Sequence, residues 1–277
     1  MSSATYARWI KGIYITQSTL LNRSQLSYLI NRSKASGINS FVIDIKSPPS
    51  SRYFNNIQLV KQSGLRYVAR IVVFPDGGSH WQITSQSYWQ QKYHLVQYAL
   101  NMGANAIQLD YIRYRSSQPA SSENAKNIYQ VIHWFKNKLA PTGVPLEIDV
   151  FGETSFGASR HIGQNLKLFA NTVDAMCPML YPSHFEPYER YAKLPYYTVY
   201  SALQALKQQF NNRPPFKIYA FIELSNYRYR HSPAEKIAYL YDQIKATQDA
   251  GANGWYAWSA KNQYNNLFYV LQRYRTW

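Results

Sequence analysis

Acidic residues are scarce in this chain of 277 residues, where 14 Asp and Glu stand against 30 Lys and Arg and the formal net charge is +16. A surface of that sign attracts phosphate, anionic lipid or acidic polysaccharide. The basic residues are scattered, however, and the densest groups are short pairs such as Arg228 and Arg230. A dispersed cationic surface is therefore favoured over a nucleic-acid footprint, and no nucleic-acid partner is expected.

Cysteine is almost absent, since Cys177 is the only one, and this excludes an internal disulfide and a cysteine-based zinc site. The 6 histidines show no paired spacing typical of metal ligands, so we predict neither a metal nor another cofactor. No apolar run approaches the ~20 residues of a transmembrane helix. Residues 1–5 lack the charged and apolar regions of a signal peptide. An extracytoplasmic or secreted location is nevertheless favoured, and the oligomeric state stays open.

Two functional motifs, one for nucleotide binding and one for serine hydrolysis, are also missing. The residues after the first strand, Thr16-Gln17-Ser18-Thr19, contain no glycine-rich phosphate turn, which argues against a nucleotide-binding fold. No G-x-S-x-G elbow surrounds Ser155, which argues against a serine hydrolase.

What the chain does contain is a regular alternation of strands and helices with a hydrophobic share of 46%. The predicted strands are residues 12–16, 41–45, 67–74, 106–114, 146–151, 175–181, 217–224 and 254–259. A helix is predicted after each, including helices over residues 18–37 and 162–170 and one that begins with the N-cap sequence Ser232-Pro233-Ala234-Glu235. Glycines end the helices, and the long loops follow the strands. These features predict a single (β/α)₈ TIM-barrel domain over residues 1–277, whereas a doubly wound open sheet is the less favoured alternative.

The scarce acids recur where apolar strands end. They are Asp44, Asp110, Asp149 and Glu223. An ionised carboxylate is costly to desolvate, so a strand that ends in one needs a compensating partner or a function. In a TIM barrel these strand ends meet at the active face.

Two of these acids, Asp110 and Asp149, lie on strands predicted to be adjacent. Such a pair suits glycoside hydrolysis, in which one carboxylate is nucleophile or base and the other is the general acid. Glu153 and Glu223 are further candidates for the acid. The alternative for each is a salt bridge that holds the barrel mouth. For Asp44 both interpretations stay open, whereas function is favoured for Asp110 and Asp149.

Other residue types are expected around the acids. Arg70, in an apolar strand, needs a carboxylate, and Asp44 or Asp110 would supply it; Glu147 is expected to form a structural ion pair with Arg70. Arg113 should steer a carboxylate or a sugar hydroxyl. His184 is a candidate ligand or donor. The aromatic rings expected to stack on sugars, with core packing as the alternative for each, are Tyr14, Tyr111, Tyr181 and Trp258.

The strand segments together resemble a family of bacterial (β/α)₈ proteins identified as glycoside hydrolases. The matching segments are KGIYIT at residues 11–16, VIDIK at 42–46, ARIVVF at 69–74, IQLDYIRY at 107–114, DVFG at 149–152, CPMLYPSH at 177–184 and GWYAWSA at 254–260. A more distant similarity to α-amylase-like barrels implies Asp110 as nucleophile. After strand seven the family usually carries a Pro-Trp-Leu-Gln-Asp-like run, whereas this chain reads YAFIEL, with Glu223 near the expected Asp.

The resemblance and the residues lead to one hypothesis and one alternative. The hypothesis is a glycosidase that cleaves a polysaccharide, for example one of the cell envelope, with Asp110 attacking or activating and Asp149, Glu153 or Glu223 protonating the leaving oxygen. The alternative is a TIM barrel that binds glycans without cleaving them. A basic surface that docks on nucleic acid or anionic lipid ranks third.

Overall fold

The computed structural model describes residues 9–274. Eight parallel strands close into one barrel in the order β1 to β8, each hydrogen-bonded to its neighbours in sequence, with β1 paired to β8. The strands are β1 (Ile10–Ile15), β2 (Ser40–Asp44), β3 (Arg66–Val72), β4 (Ala106–Asp110), β5 (Leu146–Phe151), β6 (Ala175–Met179), β7 (Lys217–Glu223) and β8 (Gly254–Trp258). The predicted TIM barrel is confirmed, and the open sheet is excluded by this closure.

Helices connect the strands on the outside of the barrel. They are α1 (Gln17–Leu21), α2 (Arg23–Ala35), α3 (Ser51–Gln62), α4 (His80–Thr84), α5 (Gln86–Asn101), α6 (Ser122–Leu139), α7 (Leu166–Phe169), α8 (Tyr188–Tyr191), α9 (Pro195–Gln208), α10 (Pro233–Asp249) and α11 (Asn265–Arg273). Short 3-10 turns occur at Ala140–Thr142, Gly152–Ser155 and Pro182–His184. Within residues 9–274, no helix is long and apolar enough to span a bilayer. Residues 1–5, where no signal peptide is expected, lie outside the described part of the chain.

Two hydrophobic layers follow from the alternation of side chains along each strand. One face of every strand packs against the helices in a large core. The other face fills the barrel interior with a smaller cluster made of Val42, Val68, Ala106, Cys177, Phe221 and Tyr256. Cys177 is free and fully buried, in agreement with its expected role as a small hydrophobe.

Local capping explains where several helices begin and end. Ser232 starts α10 with the predicted capping box, because its Oγ accepts from the Glu235 amide at 3.3 Å and its own amide donates to the Glu235 carboxylate at 2.7 Å. The glycines after α2 and α3, Gly37 and Gly64, adopt the left-handed conformation that a helix C-terminus favours.

Three helix predictions need correction. The helix expected over residues 18–37 is broken at Asn22, whose extended backbone lets its side chain cap α2 by accepting from the Gln25 amide. The helix expected over residues 162–170 shrinks to the single turn of α7, because an isolated bridge between Ser159 and Gln164 and the Asn165 cap occupy the preceding residues. The loop after β3 contains the short helix α4, which was not predicted.

Candidate active site

Two adjoining cavities open among the loops that follow the strands. The larger has a volume of about 800 Å³ and the smaller about 570 Å³, and Arg70, Tyr111 and Trp258 line both. The predicted site residues that line only the larger one are Asp110, Arg113, Asp149, Glu153, Tyr181 and His184. Tyr14 and Asp44 line the smaller. The structure thus brings together all the predicted site residues except Glu223 at one mouth of the barrel, while their roles remain predictions.

The guanidinium group of Arg70 is the centre of this mouth. It hydrogen-bonds the carboxylates of Asp44 and Asp110 through its two terminal nitrogens, and its Nε lies 3.8 Å from Asp149 Oδ2. Burial works against the charged form of Arg70, but the three carboxyl groups outweigh it and hold its pKa well above the usual value. One buried cation therefore bridges acids from three strands, as the register that places Asp44 opposite Arg70 permits.

Asp149 differs from the other two acids in its environment. It is almost fully buried, and its Oδ1 has no hydrogen-bond partner among residues 9–274. Burial and then the nearby charge of Asp110 raise the pKa of Asp149 well above the usual value, and the attraction of Arg70 only partly opposes them. A carboxylic acid that keeps its proton beside an open cavity has the property required of a general acid.

Asp110 is held in place from two sides. Its Oδ2 accepts from Arg70, and its Oδ1 accepts from the backbone amide of Tyr111 at 2.5 Å. Tyr111 has a φ of 53°, which is unfavourable for a residue with a bulky side chain. Backbone strain of this kind costs ~1–3 kcal/mol and persists where the surrounding structure fixes it, often at functional sites. The strained turn directs the Tyr111 amide at the Asp110 carboxylate.

The negative charge of Asp44 has more hydrogen-bond and ion-pair partners than that of Asp110. In addition to Arg70, it accepts from the Tyr14 hydroxyl at 2.7 Å and lies 3.4 Å from Lys46 Nζ. Burial and then the charge of Asp44 raise the pKa of Tyr14, so the phenol remains a hydrogen-bond donor. The salt-bridge alternative for Asp44 has direct support in these contacts.

Glu147 does not pair with Arg70, so that expectation was wrong. Arg66 takes the role instead, with its Nη2 2.8 Å from Glu147 Oε1. The Tyr256 hydroxyl and the Gln108 side chain donate to the other oxygen of Glu147 at 3.0 and 3.2 Å. Arg66 precedes Arg70 by four residues on β3, and since side chains alternate along a strand, it faces the same interior, with Val68 between the two arginines.

Glu223 lies apart from both cavities. It is fully buried and accepts from the Ser183 amide and hydroxyl, both at 2.8 Å, and from the Tyr239 hydroxyl at 2.5 Å. These contacts tie the turn after β6 to β7 and α10. The geometry gives Glu223 a structural role, and it approaches the larger cavity through His184, whose Nδ1 lies 3.6 Å from Glu223 Oε2.

The remaining predicted residues form the walls. Arg113 lies between the rings of Tyr111 and Phe151, 5.2 and 4.9 Å from their centroids, and burial lowers its pKa. Tyr181 and Trp258 stack with a centroid distance of 5.7 Å and an interplanar angle of 29°. Burial raises the pKa of Tyr181, and the charges of Asp149 and Asp110 add to the effect. Its hydroxyl is thus kept protonated beside the acids.

His184 and Glu153 are the more exposed members of the wall. The His184 side chain is half exposed, with Nδ1 3.2 Å from the Ser183 hydroxyl and its ring against Tyr181. Glu153 is exposed in the 3-10 turn that follows β5. Both can contact a substrate without any rearrangement of the core.

Sequence reasoning missed one side of the larger cavity. This side is aromatic and consists of Phe151, Phe156, Phe185, Tyr188 and Tyr191. All but Phe151 come from the loops and short turns after β5 and β6, where the barrel prediction places the active face. Their position in those loops could have identified them. Tyrosine is so abundant in the chain, however, that composition did not single out these residues.

A family model described as "putative glycosyl hydrolase domain" matches residues 76–264, which include the strand ends that carry Asp110, Asp149 and Glu223. The chain belongs to this family. The predicted class, a glycoside hydrolase on a TIM barrel, is therefore confirmed at the level of the family. No curated protein matches the chain.

Solved structures with a similar fold include several carbohydrate-active enzymes. The spore cortex-lytic enzyme SleL of Bacillus cereus has a TM-score of 0.66 at 15% identity, over 95% of this chain and 73% of that one. The endo-beta-1,4-mannanase of Thermotoga petrophila has a TM-score of 0.67 at 11% identity, over 98% and 77%. A class V chitinase of Pseudomonas fluorescens Pf-5 has a TM-score of 0.65 at 12% identity, over 95% and 98%. At these identities the likeness shows the fold alone.

Proposed function

We propose that this glycoside hydrolase cleaves a polysaccharide with Asp110 as the nucleophile and Asp149 as the general acid. The observation that carries the proposal is that Arg70 binds Asp110 directly and Asp149 only at 3.8 Å, at the floor of an open cavity. The two carboxyl groups thus lie close together in different environments, the arrangement that separates the roles of base and acid.

The proposed reaction uses groups already in place. Asp149 donates its proton to the glycosidic oxygen as that bond breaks, and Asp110 attacks the anomeric carbon to form a glycosyl-enzyme. Water, activated by the Asp149 carboxylate so formed, then releases the sugar and restores both groups. Arg70 positions Asp110 and keeps its charge compensated. Glu153 is the rival acid because it is exposed in the same cavity.

A polymeric substrate fits the shape of the mouth. The two cavities adjoin and have aromatic walls that can stack on successive sugar rings, which bury both an apolar face and hydroxyl groups. A cell-envelope polysaccharide and an extracytoplasmic location are part of the proposal. The spore cortex named for SleL is one such material, and it belongs in the panel of substrates to be tested.

One observation favours the alternative of a glycan-binding barrel without activity. Both oxygens of Asp110 are already engaged, one by Arg70 and one by the Tyr111 amide. A nucleophile held in this way must exchange a contact for the substrate.

Cleavage of a broad panel distinguishes the two functions. The panel includes peptidoglycan, chitin, mannan and acidic polysaccharides, and the assay is release of reducing ends by the parent chain and by Asp110→Asn. Cleavage by the parent alone, with glycan binding retained in both, supports the enzyme. Binding by both chains without cleavage by either supports the alternative.

A further inference from the structure

The smaller cavity is more basic than the carboxylate centre beside it. It lies over the ends of β1, β2, β3 and β8, and α5 closes its outer side. Its basic residues are Lys46, Arg70 and Lys92, against the acids Asp44 and Asp76. The larger cavity contains the Asp110–Asp149 pair. The two sides of the mouth therefore differ in charge, one acidic and the other basic.

The charge of Asp44 is not available to a ligand. Arg70 and Tyr14 hydrogen-bond it, and Lys46 lies 3.4 Å away. Asp76 is exposed at the edge, on the side of Arg113, whose Nη1 approaches the Asp76 carbonyl oxygen at 3.5 Å. Among residues 9–274, neither acid lies within ion-pair distance of Lys92 on the wall formed by α5.

Lys92 is the charged group of that wall, and it lacks an acid. Its side chain is partly buried, burial lowers its pKa, and no carboxylate lies within 4.0 Å of it among residues 9–274. Lys92 forms a cation–π contact with the face of the Tyr88 ring, with Nζ 5.6 Å from the ring centroid. A partly desolvated ammonium with only an aromatic ring for support gains from an anion brought by a ligand.

Lys46 can supply a second cationic contact. Its side chain is 60% exposed, and its ion pair with Asp44 involves a carboxylate that already has two better partners. The ammonium group can therefore turn to a ligand, because Arg70 and Tyr14 remain bound to Asp44.

We propose that the smaller cavity is a subsite for a sugar residue that carries an anionic substituent, with Lys92 and Lys46 as its cationic partners. The inference rests on the proposed function and names its substrate class as an acidic polysaccharide. Arg70, Tyr111 and Trp258 line both cavities, so one chain can reach from the Lys92 wall to the Asp110–Asp149 pair.

Two features beyond the cavity agree with this substrate class. The net charge of +16 attracts polyanions over a distance, in a way that salt weakens. Trp81, two-thirds exposed, packs against Tyr88 at 6.2 Å between centroids and offers an apolar surface next to the Lys92–Tyr88 contact. A sugar ring that continues beyond the cavity would find this surface.

The test is a binding measurement on chains inactivated by Asp110→Asn, with glycans supplied in pairs. Each pair is an acidic oligosaccharide and its uncharged form: oligogalacturonate or hyaluronan with its carboxyl-reduced product, and sulfated carrageenan with its desulfated product. The tightest ligand should be acidic and should lose about tenfold in affinity on removal of its charge. The pair that shows the loss identifies carboxylate or sulfate as the group recognised.

Matched variants locate the effect. Lys92→Gln should abolish the preference for the acidic member, and Lys46→Gln should reduce the preference. Lys126→Gln removes the same charge from an exposed pair on α6 and should keep the preference. Because Lys92 has no acid partner among residues 9–274, its replacement should not lower the unfolding temperature. If it does, the Lys46→Gln variant tests the subsite independently.

Several results would overturn the subsite. They are a neutral oligosaccharide as the tightest ligand, an equal loss of preference in the Lys92→Gln and Lys126→Gln variants, or no binding of any glycan. Cleavage by the parent chain is scored separately. If the parent cleaves neutral and acidic polymers equally, the subsite fails and the hydrolase function stands. If the preference depends on Lys92 but nothing is cleaved, the subsite stands and the hydrolase function fails.

Discussion

Asp110 and Asp149 are bound to one guanidinium group, that of Arg70, but at unequal distances. Asp110 makes a direct hydrogen bond, whereas Asp149 Oδ2 lies 3.8 Å from Nε. The positive charge of Arg70 is thus used mainly by Asp110 and Asp44, and the negative charge of Asp110 acts with burial to keep the proton on Asp149. The Arg70–Asp110 contact thus stabilises the Asp110 carboxylate, and the charge of that carboxylate in turn favours the protonated form of Asp149.

Replacing Arg70 should destabilise the fold more than an ordinary surface change. Arg70→Met leaves carboxylates buried without their cation, and breaking a buried ion pair in this way costs ~3–5 kcal/mol. Urea unfolding at neutral pH measures the loss. In acid the orphaned carboxyl groups can take up protons, so the difference from the parent should narrow.

Arg23→Met is the control, because Arg23 donates to the neutral Asn56 side chain at 2.9 Å. Its smaller effect should not depend on pH. An Arg70→Met chain as stable as the parent at neutral pH would contradict the account of the mouth.

The raised pKa of Asp149 predicts how activity depends on pH. If Asp149 is the general acid, kcat/KM should persist as pH rises past the ordinary Asp pKa of ~3.9 and fall only above the raised pKa. Asp149→Asn should lower kcat about 10²–10⁴-fold and remove this basic limb. For aryl glycosides with good leaving groups, which need little protonation, kcat/KM should fall much less, whereas kcat should still fall because the second step uses the Asp149 carboxylate as base.

Glu153→Gln is the matched test of the rival acid, since Glu153 lines the same cavity. The basic limb of the pH profile of kcat/KM should be retained in this variant. The reverse pattern, with the limb lost in Glu153→Gln and kept in Asp149→Asn, would transfer the role to Glu153.

The same pKa predicts an unusual dependence of stability on pH. Between the ordinary Asp pKa and the raised one, folded Asp149 holds its proton and unfolded Asp149 has lost it. The folded state binds more protons there, so the contribution of Asp149 to the free energy of unfolding falls as pH rises. Asp149→Asn should therefore be more stable relative to the parent at pH 7 than at pH 4 in urea unfolding. A gain of equal size at both values would mean that Asp149 titrates normally.

Glu223 is expected to matter for stability more than for chemistry. It accepts from Ser183 twice and from Tyr239, so Glu223→Gln places an NH₂ donor against existing donors and should cost ~1–3 kcal/mol. Its kcat on the cleaved substrate should stay within about tenfold of the parent, well short of the loss expected for a missing general acid. A loss of kcat as large as that of Asp149→Asn, without a loss of stability, would restore Glu223 to the catalytic set.

The barrel and the position of most site residues could be predicted because each depends on periodicity. Alternating apolar strands fix which side chains face inward, and the closed order of strands brings Asp44, Asp110 and Asp149 to one mouth. Glu223 shares this pattern, yet the turn after β6 donates two hydrogen bonds to its carboxylate and α10 donates a third, and Glu223 does not line the cavity. Contacts of this kind come from residues distant in sequence, and local pattern does not encode them.

The ion pairs show the same limit. Arg66 and Arg70 are both inward-facing on β3, so their spacing does not tell which of them meets Glu147. The stagger of the barrel decides it. The position of Lys92 could likewise not be predicted, because a lysine on an amphipathic helix normally faces solvent, and only the closure of α5 over β3 places it in a cavity.

Chemical rescue of Asp110 tests the central claim most directly. Asp110→Ala removes the proposed nucleophile, and turnover of an activated glycoside of the cleaved sugar should fall on the order of 10⁴-fold or more. Sodium azide should then restore turnover and yield a glycosyl azide of inverted anomeric configuration, while the parent chain gives a product of retained configuration. An Asp110→Ala chain that is folded and still cleaves at the parent rate would contradict the account, as would inversion by the parent with no azide product from the variant.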